Sequence, residues 1–192
     1  MDTKRDAREG IAERIRALSD ERRIVLDAQI ATHVTQLSFW ERARTVFGYV
    51  AMADEVDLEA VFRAAARAGK RVALPRIESD DGPMRFHLVE KGVRPTERHG
   101  FGFLQPPQSA PTATPDGGTL MLVPGRVFDR TGHRVGRGGG FYDRYLATHS
   151  DGVVTVGVGY TVQLVHSVPT HEGDQAVQIV VTDSETCFCR RP

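Results

Sequence analysis

The stretch GHRVGRGGGFYDRYL, residues 132–146, concentrates residue types that bind anions. Gly132, Gly136, Gly138, Gly139 and Gly140 sit among Arg134, Arg137 and Arg144, and Phe141, Tyr142 and Asp143 follow Gly140 directly. Glycine lets the backbone take positive φ and lets a ligand approach it closely. Successive backbone N–H groups then form an anion-binding nest, and a helix starting just beyond adds its positive end. Arg134 and Arg137 supply planar guanidinium donors that suit phosphate oxygens. The stretch lacks the Gly-Lys-Ser/Thr end of a Walker loop, and the spacing from Gly136 does not give the G-x-G-x-x-G of a dinucleotide fingerprint. Asp143 in a first helical turn is favoured by the helix dipole alone, but beside a phosphate nest a carboxylate also suits magnesium. Asp129, in Phe-Asp-Arg-Thr-Gly, reads as a residue that opens a turn.

Other candidates are dispersed along the chain. Lys4 and Arg8 are four residues apart and share one face of a predicted helix. Glu55, in MADEVD, lies just past a predicted strand, where a carboxylate can hold a polar ligand edge; Asp57 is the better cap for the helix after it. Phe101, Gln105 and Pro106 fall in a long Gly-, Pro- and Thr-rich loop over 91–118, and loops of that length are usually functional or mobile. The seven histidines show no metal-ligand spacing, and no Gly-x-Ser-x-Gly, His-Glu-x-x-His or Cys-x-x-Cys occurs. Cys187 and Cys189 flank Phe188 in a predicted strand, so they share a face and are expected to be reduced, structural thiols.

Positioning these groups falls to short apolar segments separated by amphipathic ones. Helices are predicted over 3–18, from an N-cap at Ser19 through Ile24, Leu26 and Ile30 towards Leu37, over 57–70, and over 139–148. Strands are predicted at 45–52, 71–77, 84–89, 118–125, 153–160 and 178–183. That alternation indicates an α/β fold with a largely parallel, covered sheet. Ligands in such sheets bind beyond the carboxyl ends of strands, which is where the glycine-arginine stretch follows strand 118–125.

The bulk numbers narrow the function classes. With 192 residues, 40% hydrophobic, 26% charged and a formal net charge of +0, the chain suits one soluble domain spanning 1–192. Neutral overall charge argues against a nucleic-acid or anionic-membrane partner. No apolar run approaches the roughly 20 residues of a membrane span, and the charged N-terminus lacks a signal-peptide core. The cytoplasm is the expected compartment.

The ordered string VPGRVFDRTGHRVGRGGGFYDRYL resembles the signature of the 5-formyltetrahydrofolate cyclo-ligases, also called methenyltetrahydrofolate synthetases. That signature runs Pro-Gly, two residues, Phe-Asp, then Arg-Leu-Gly, one variable residue, a glycine-rich triplet, an aromatic and Tyr-Asp. Here it is Pro124-Gly125, Phe128-Asp129, Arg134-Val135-Gly136, Arg137, Gly138-Gly139-Gly140, Phe141 and Tyr142-Asp143. Lys4 and Arg8 match the family's N-terminal Lys-x-x-x-Arg, and Tyr49 with Glu55 its Tyr-to-Glu spacing. Gln105-Pro106, Gln163, Pro169 and Asp174 also stand at family positions.

The resemblance implies a three-layer α/β sandwich of the ribose-5-phosphate isomerase and CoA transferase type, and ATP- and Mg2+-dependent conversion of 5-formyltetrahydrofolate to 5,10-methenyltetrahydrofolate with release of ADP and phosphate. It implies Lys4, Arg8, Arg134, Gly136, Arg137, Gly138, Gly139, Gly140, Phe141 and Tyr142 at the nucleotide. Tyr49, Glu55, Phe101 and Tyr142 are implied at the folate, Asp143 at the magnesium, and Arg137 and Tyr142 in catalysis. The implied partner is a small reduced folate, with the chain a monomer or weak homodimer. Gly173 and Gln178 replace a His and an Asp found in many members, and Val135 replaces a Leu. The first two departures leave open a second expectation, a non-catalytic folate- or nucleotide-binding paralogue.

Overall fold

Leu120, Met121, Leu122 and Val123 are consecutive residues of one strand and all buried, so that strand is covered on both faces. The computed structural model describes residues 3–79, 82–90, 95, 97–100 and 102–189; Phe101 lies outside them. In chain order, α1 (Lys4–Arg16), α2 (Asp20–Thr35) and the short α3 (Ser38–Arg42) precede β1 (Thr45–Phe47). Then come α4 (Glu59–Arg67), β2 (Arg71–Ile77), β3 (Met84–Val89) and three two-residue strands, β4 (Glu97–Arg98), β5 (Leu104–Gln105) and β6 (Thr112–Ala113). The rest comprises β7 (Thr119–Pro124), β8 (Val127–Asp129), β9 (Arg134–Val135), α5 (Phe141–His149) and β10 (Val154–Val158). A 3-10 turn (Thr161–Gln163), β11 (Leu164–Val165), β12 (Ile179–Val181) and β13 (Thr186–Phe188) complete it.

The main sheet has the order β13-β12-β10-β7-β1-β2-β3-β6. The run from β12 to β2 is parallel, while β13, β3 and β6 pair antiparallel at the edges. Period-two alternation splits the core in two. Leu120 and Leu122 join Val46, Val156 and Val158 beneath α1, α2 and α4, through Ile11, Ile15, Ile30, Val34 and Val61. Met121 and Val123 turn to the other face, with Phe47, Phe86 and Phe128, and meet Tyr145 and Leu146 of α5. This is the expected α/β architecture with a largely parallel sheet between helical layers.

Local signals explain the boundaries. Thr3 caps α1 by accepting from Asp6 N at 3.1 Å, and Ser19 caps α2 by accepting from Arg22 N at 3.2 Å. Ile24 does not belong to the buried stripe of α2: it is 69% exposed, two residues from Leu26 and therefore on the far side of the helix. The strand expected over 45–52 ends at Phe47. Beyond it the chain folds into a turn, with Glu55 N donating to Met52 O at 3.0 Å and Met52 N donating back to Glu55 Oε2 at 2.9 Å. The long loop carries more order than its composition suggests. β4 and β5 form a hairpin, β6 pairs with β3, and the buried Gln105 accepts from Ile77 N at 3.1 Å through Oε1, because backbone laid against a sheet needs partners. Cys187 and Cys189 are free, half-buried thiols against the α5-side core; burial pushes both up, Cys189 to about 11. Among the described residues no helix is long and apolar enough to cross a membrane.

Candidate functional site

The parallel strands deliver their carboxyl ends to one side of the sheet. From there Tyr49 follows β1, Pro124-Gly125-Arg126 closes β7, and Ile77 ends β2; all of them line a cavity of about 650 Å³. The hairpin β8–β9 carries the chain from β7 to the glycine loop. Asp129 anchors it, as a turn residue should: the buried Oδ1 accepts from Thr131 N at 2.9 Å and His133 N at 3.1 Å, and Oδ2 from Val168 N at 3.1 Å. Gln163, also buried, holds the Pro-Gly turn from below, donating through Nε2 to Gly125 O at 2.9 Å and Arg126 O at 3.1 Å.

The glycine loop then bends onto the start of α5. Gly138 (φ 110°) and Gly140 (φ 66°) occupy the left-handed region, which a side chain would strain. At Gly136 an added Cβ would meet nothing within 4 Å, so its lack of a side chain leaves open space rather than relieving a clash. Among the described residues the amides of Gly138, Gly139 and Gly140 donate no backbone hydrogen bond, and all three glycines line the cavity at the start of α5, which leaves these N–H groups available to an anion.

Each expected cation reaches this cavity. Helix α1 buries Ala7, Ile11 and Ile15, and the adjoining face brings Lys4 and Arg8 over the loop. Arg8 Nε donates to Gly136 O at 2.7 Å. Lys4 Nζ lies 2.7 and 2.6 Å from the two carboxylate oxygens of Asp174, whose Oδ2 also accepts from His171 N at 2.7 Å. Arg137 donates through Nε to Glu55 Oε1 at 3.0 Å and pairs through Nη2 with Asp54. Asp54 pairs in turn with Arg126. Arg134 is different: its side chain is only 3% exposed, it pairs with Asp143 Oδ1 at 3.0 Å, and it donates to Gln175 O. Gln175 N also donates to Asp143 Oδ1, at 3.1 Å. Arg134 therefore braces Asp143 from within the fold. Arg144, part of the same motif, turns back to Gly139 O at 2.9 Å and covers the Phe141 ring.

The folate-side candidates Tyr49, Glu55 and Tyr142 also line the cavity. The hydroxyls of Tyr49 and Tyr142 are buried and have no hydrogen-bond partner among the described residues. Burial first, and then the negative charge of Glu55, push both phenols well above their ordinary range. Both therefore stay protonated, so each hydroxyl can donate as well as accept.

Several participants escaped the sequence reading. Asp54 and Arg126 complete the ion-pair set, and their only sequence signals are adjacency to Glu55 and to the Pro124-Gly125 turn. Arg23 on α2 grips the turn that carries both acids, donating to Ala53 O and, at 3.1 Å, to Glu55 O. Its Nε donates to Tyr160 OH at 3.2 Å, and Tyr160 OH donates to Asp27 Oδ1 at 2.8 Å. Gln178, one of the two departures, lies apart from this chemistry. It accepts from Thr155 N at 3.0 Å through Oε1 and ties the start of β12 to β10.

The chain is therefore a parallel-sheet α/β protein with a cation-rich glycine loop beyond its strand ends, the side of such sheets where ligands bind. Comparison with known proteins narrows the class. Residues 1–183 match the 5-formyltetrahydrofolate cyclo-ligase family, and the chain belongs to that family of ligases. It is 26% identical over 187 residues to the 5-formyltetrahydrofolate cyclo-ligase of Mus musculus, covering 93% of this chain and 92% of the mouse one. It is 32% identical over 142 residues to that of Mycolicibacterium smegmatis, covering 72% and 73%. Among solved structures, the 5,10-methenyltetrahydrofolate synthetase of Aquifex aeolicus superposes with a TM-score of 0.84 at 26% identity, over 98% of this chain and 94% of the other.

Proposed function

We propose that this chain is an ATP- and Mg2+-dependent 5-formyltetrahydrofolate cyclo-ligase that forms 5,10-methenyltetrahydrofolate, ADP and phosphate. The observation that carries the reading is the joint content of one cavity: a glycine loop ringed by Lys4, Arg8 and Arg137, together with the hydroxyls of Tyr49 and Tyr142, which have no partner among the described residues. The activities for which the relatives are named support the substrate.

In this reading, the amides of Gly136 to Gly140, with Lys4, Arg8 and Arg137, hold the nucleotide phosphates, and Phe141 and Tyr142 border them. The formyl oxygen of an N5-amide is a poor leaving group. Transfer of the γ-phosphoryl group breaks its bond to ADP and forms a bond to that oxygen. N10 then attacks the activated carbon, the ring closes and phosphate departs. Phosphoryl transfer leans on positioning and charge stabilisation, and this loop supplies fixed donors for both. Arg137 faces the developing charge. Tyr142 and Tyr49 donate hydrogen bonds to polar atoms of the folate, and Glu55 accepts from it.

Magnesium fits the donor set. Among the described residues no group of three or more His, Cys, Asp or Glu is placed to hold a metal, but Mg2+ needs only one or two carboxylates when phosphates and water complete its shell. Asp143 lines the cavity and is oriented by Arg134 and the Gln175 amide. When bound there, Mg2+ would offset the charge on the phosphate oxygens.

The test is the methenyl chromophore. Protein supplied with 5-formyltetrahydrofolate, ATP and Mg2+ is expected to generate it, and to stop when ATP is left out. Binding of both ligands with no chromophore would favour the paralogue instead.

A further inference from the structure

Asp54 lies between two guanidinium groups: Oδ1 pairs with Nη2 of Arg137, and Oδ2 with Nη1 of Arg126. A carboxylate held in this way offers two oxygens to two cations, which is how arginines also grip a phosphate. Arg126 occupies one of the two unspecified positions between Pro124-Gly125 and Phe128-Asp129, so no motif points to it. Nevertheless it lines the cavity, its side chain is 13% exposed, and its Nε is buried without a partner among the described residues.

The guanidinium groups of Arg137, Arg8 and Arg16 also lie near enough to Arg126 to act on its charge. Burial, followed by the charges of Arg137, Arg8 and Arg16, holds its pKa below the usual arginine value. Arginine keeps its proton in proteins, so a cluster of this kind is relieved by an anion. Asp54 and Glu55 face it from the Met52–Glu55 turn. Arg8, by contrast, reaches only a carbonyl, Gly136 O, in the contacts found among the described residues. The cationic groups therefore have room for more negative charge than the protein supplies.

We propose that Arg126 is a further anion-binding, specificity-determining residue of this cavity, and that Asp54 is an internal stand-in which the ligand's polyphosphate displaces. This rests on the reading above that nucleotide phosphates enter at Gly136–Gly140. In the free protein Asp54 keeps Arg126 and Arg137 extended towards one point, so neither has to be ordered when the ligand arrives. It also sets a threshold. An incoming group must attract the two guanidiniums more strongly than a carboxylate does, which favours a triphosphate over a singly charged anion.

The experiment is calorimetric titration of inorganic triphosphate into the full chain at low salt, comparing wild type, Arg126→Ala, Arg126→Lys and Asp54→Asn. Arg126→Ala is expected to weaken binding about tenfold, the scale of one charge-assisted hydrogen bond, and Arg126→Lys to recover part of that loss. Asp54→Asn is expected to tighten binding several-fold, about three- to tenfold on the same scale, because it removes the competitor. Unchanged affinity in Arg126→Ala, or weaker affinity in Asp54→Asn, would overturn the proposal. If Arg126→Ala does not fold, the sign of the Asp54→Asn change decides alone. Failure of the wild type to bind either triphosphate or ATP would instead strike the nucleotide reading. Wild-type binding with no effect of Arg126→Ala strikes only this inference.

Discussion

Around the glycine loop each cation of the cavity already has a partner: Lys4 has Asp174, Arg126 has Asp54, Arg137 has Asp54 and Glu55, Arg134 has Asp143, and Arg8 has the Gly136 carbonyl. At the tyrosine rings the reverse holds, and the hydroxyls of Tyr49 and Tyr142 are buried with no partner among the described residues. Unpaired guanidinium and ammonium groups near the protein interior are too costly to leave alone, whereas a buried hydroxyl without a partner costs about 1–3 kcal/mol. The cationic region is consequently stable without a ligand and must exchange partners to bind one. The tyrosine region carries a standing cost that, on the proposed reading, a bound folate would remove. The two regions should answer mutation in opposite ways.

The largest effect belongs to the cationic region. Arg137→Ala is expected to reduce turnover about 100- to 1000-fold, the scale for removing one preorganised transition-state donor. Its side chain is 38% exposed, so the melting temperature should move little; equal losses of fold and activity would make Arg137 structural. Asp143 is a less clean target, because Asp143→Ala strips the buried Arg134 of its carboxylate. Asp143→Asn, which keeps an acceptor, should lose Mg2+-dependent turnover while melting closer to wild type than Asp143→Ala.

Tyr142→Phe tests the other region. Losing this hydroxyl is expected to raise KM for 5-formyltetrahydrofolate about tenfold, one hydrogen bond's worth. The same change should leave the empty protein as stable as wild type or more so, since a partnerless polar atom disappears. A drop in thermal stability would mean that the hydroxyl has a partner in the fold, and the contrast between the regions would fail.

Arg23 sits outside the cavity lining and should act through the turn it grips. Arg23→Ala is expected to raise KM several-fold, about three- to fivefold on the scale of weakened hydrogen bonds, with Arg23→Lys restoring part of it. An unchanged KM alongside reduced stability would assign Arg23 to the fold alone.

The smallest effect concerns pH. Burial pushes the Asp174 carboxyl up, but the Lys4 ammonium and the His171 amide outweigh it and hold the group below its usual value. A carboxyl depressed in the folded state stabilises that state above its unfolded pKa, near ~3.9, and loses this contribution as pH falls through the lower folded value. Hydrogen exchange in α1 should accelerate over that acid range in the wild type. Asp174→Asn should abolish this component; an identical acid response in the variant would place the titration elsewhere.

What the sequence made legible follows from how local each cause is. The caps at Thr3 and Ser19, the shared face of Lys4 and Arg8, the turn at Asp129 and the positive φ at Gly138 and Gly140 all depend on residues within a few positions. The Arg126–Asp54–Arg137 set does not, since Arg137 and Asp54 are 83 residues apart and meet only because β1 and β7 end side by side. Likewise, Tyr49 and Tyr142 were legible as pocket residues through resemblance, but the isolation of their hydroxyls is a property of tertiary packing. Ile24 shows the limit of an apolar pattern: its residue type suggested core, and its place around the helix made it surface.

On the proposed reading both regions serve one ATP-coupled ring closure. That reading is tested most directly by following ADP release and methenyl absorbance in the same wild-type reaction, with 5-formyltetrahydrofolate and Mg2+ present. The two signals are expected to rise together in equal amounts, and neither is expected when ATP or the folate is left out. Methenyl formation without ATP, or ADP release that continues without the folate, would contradict it.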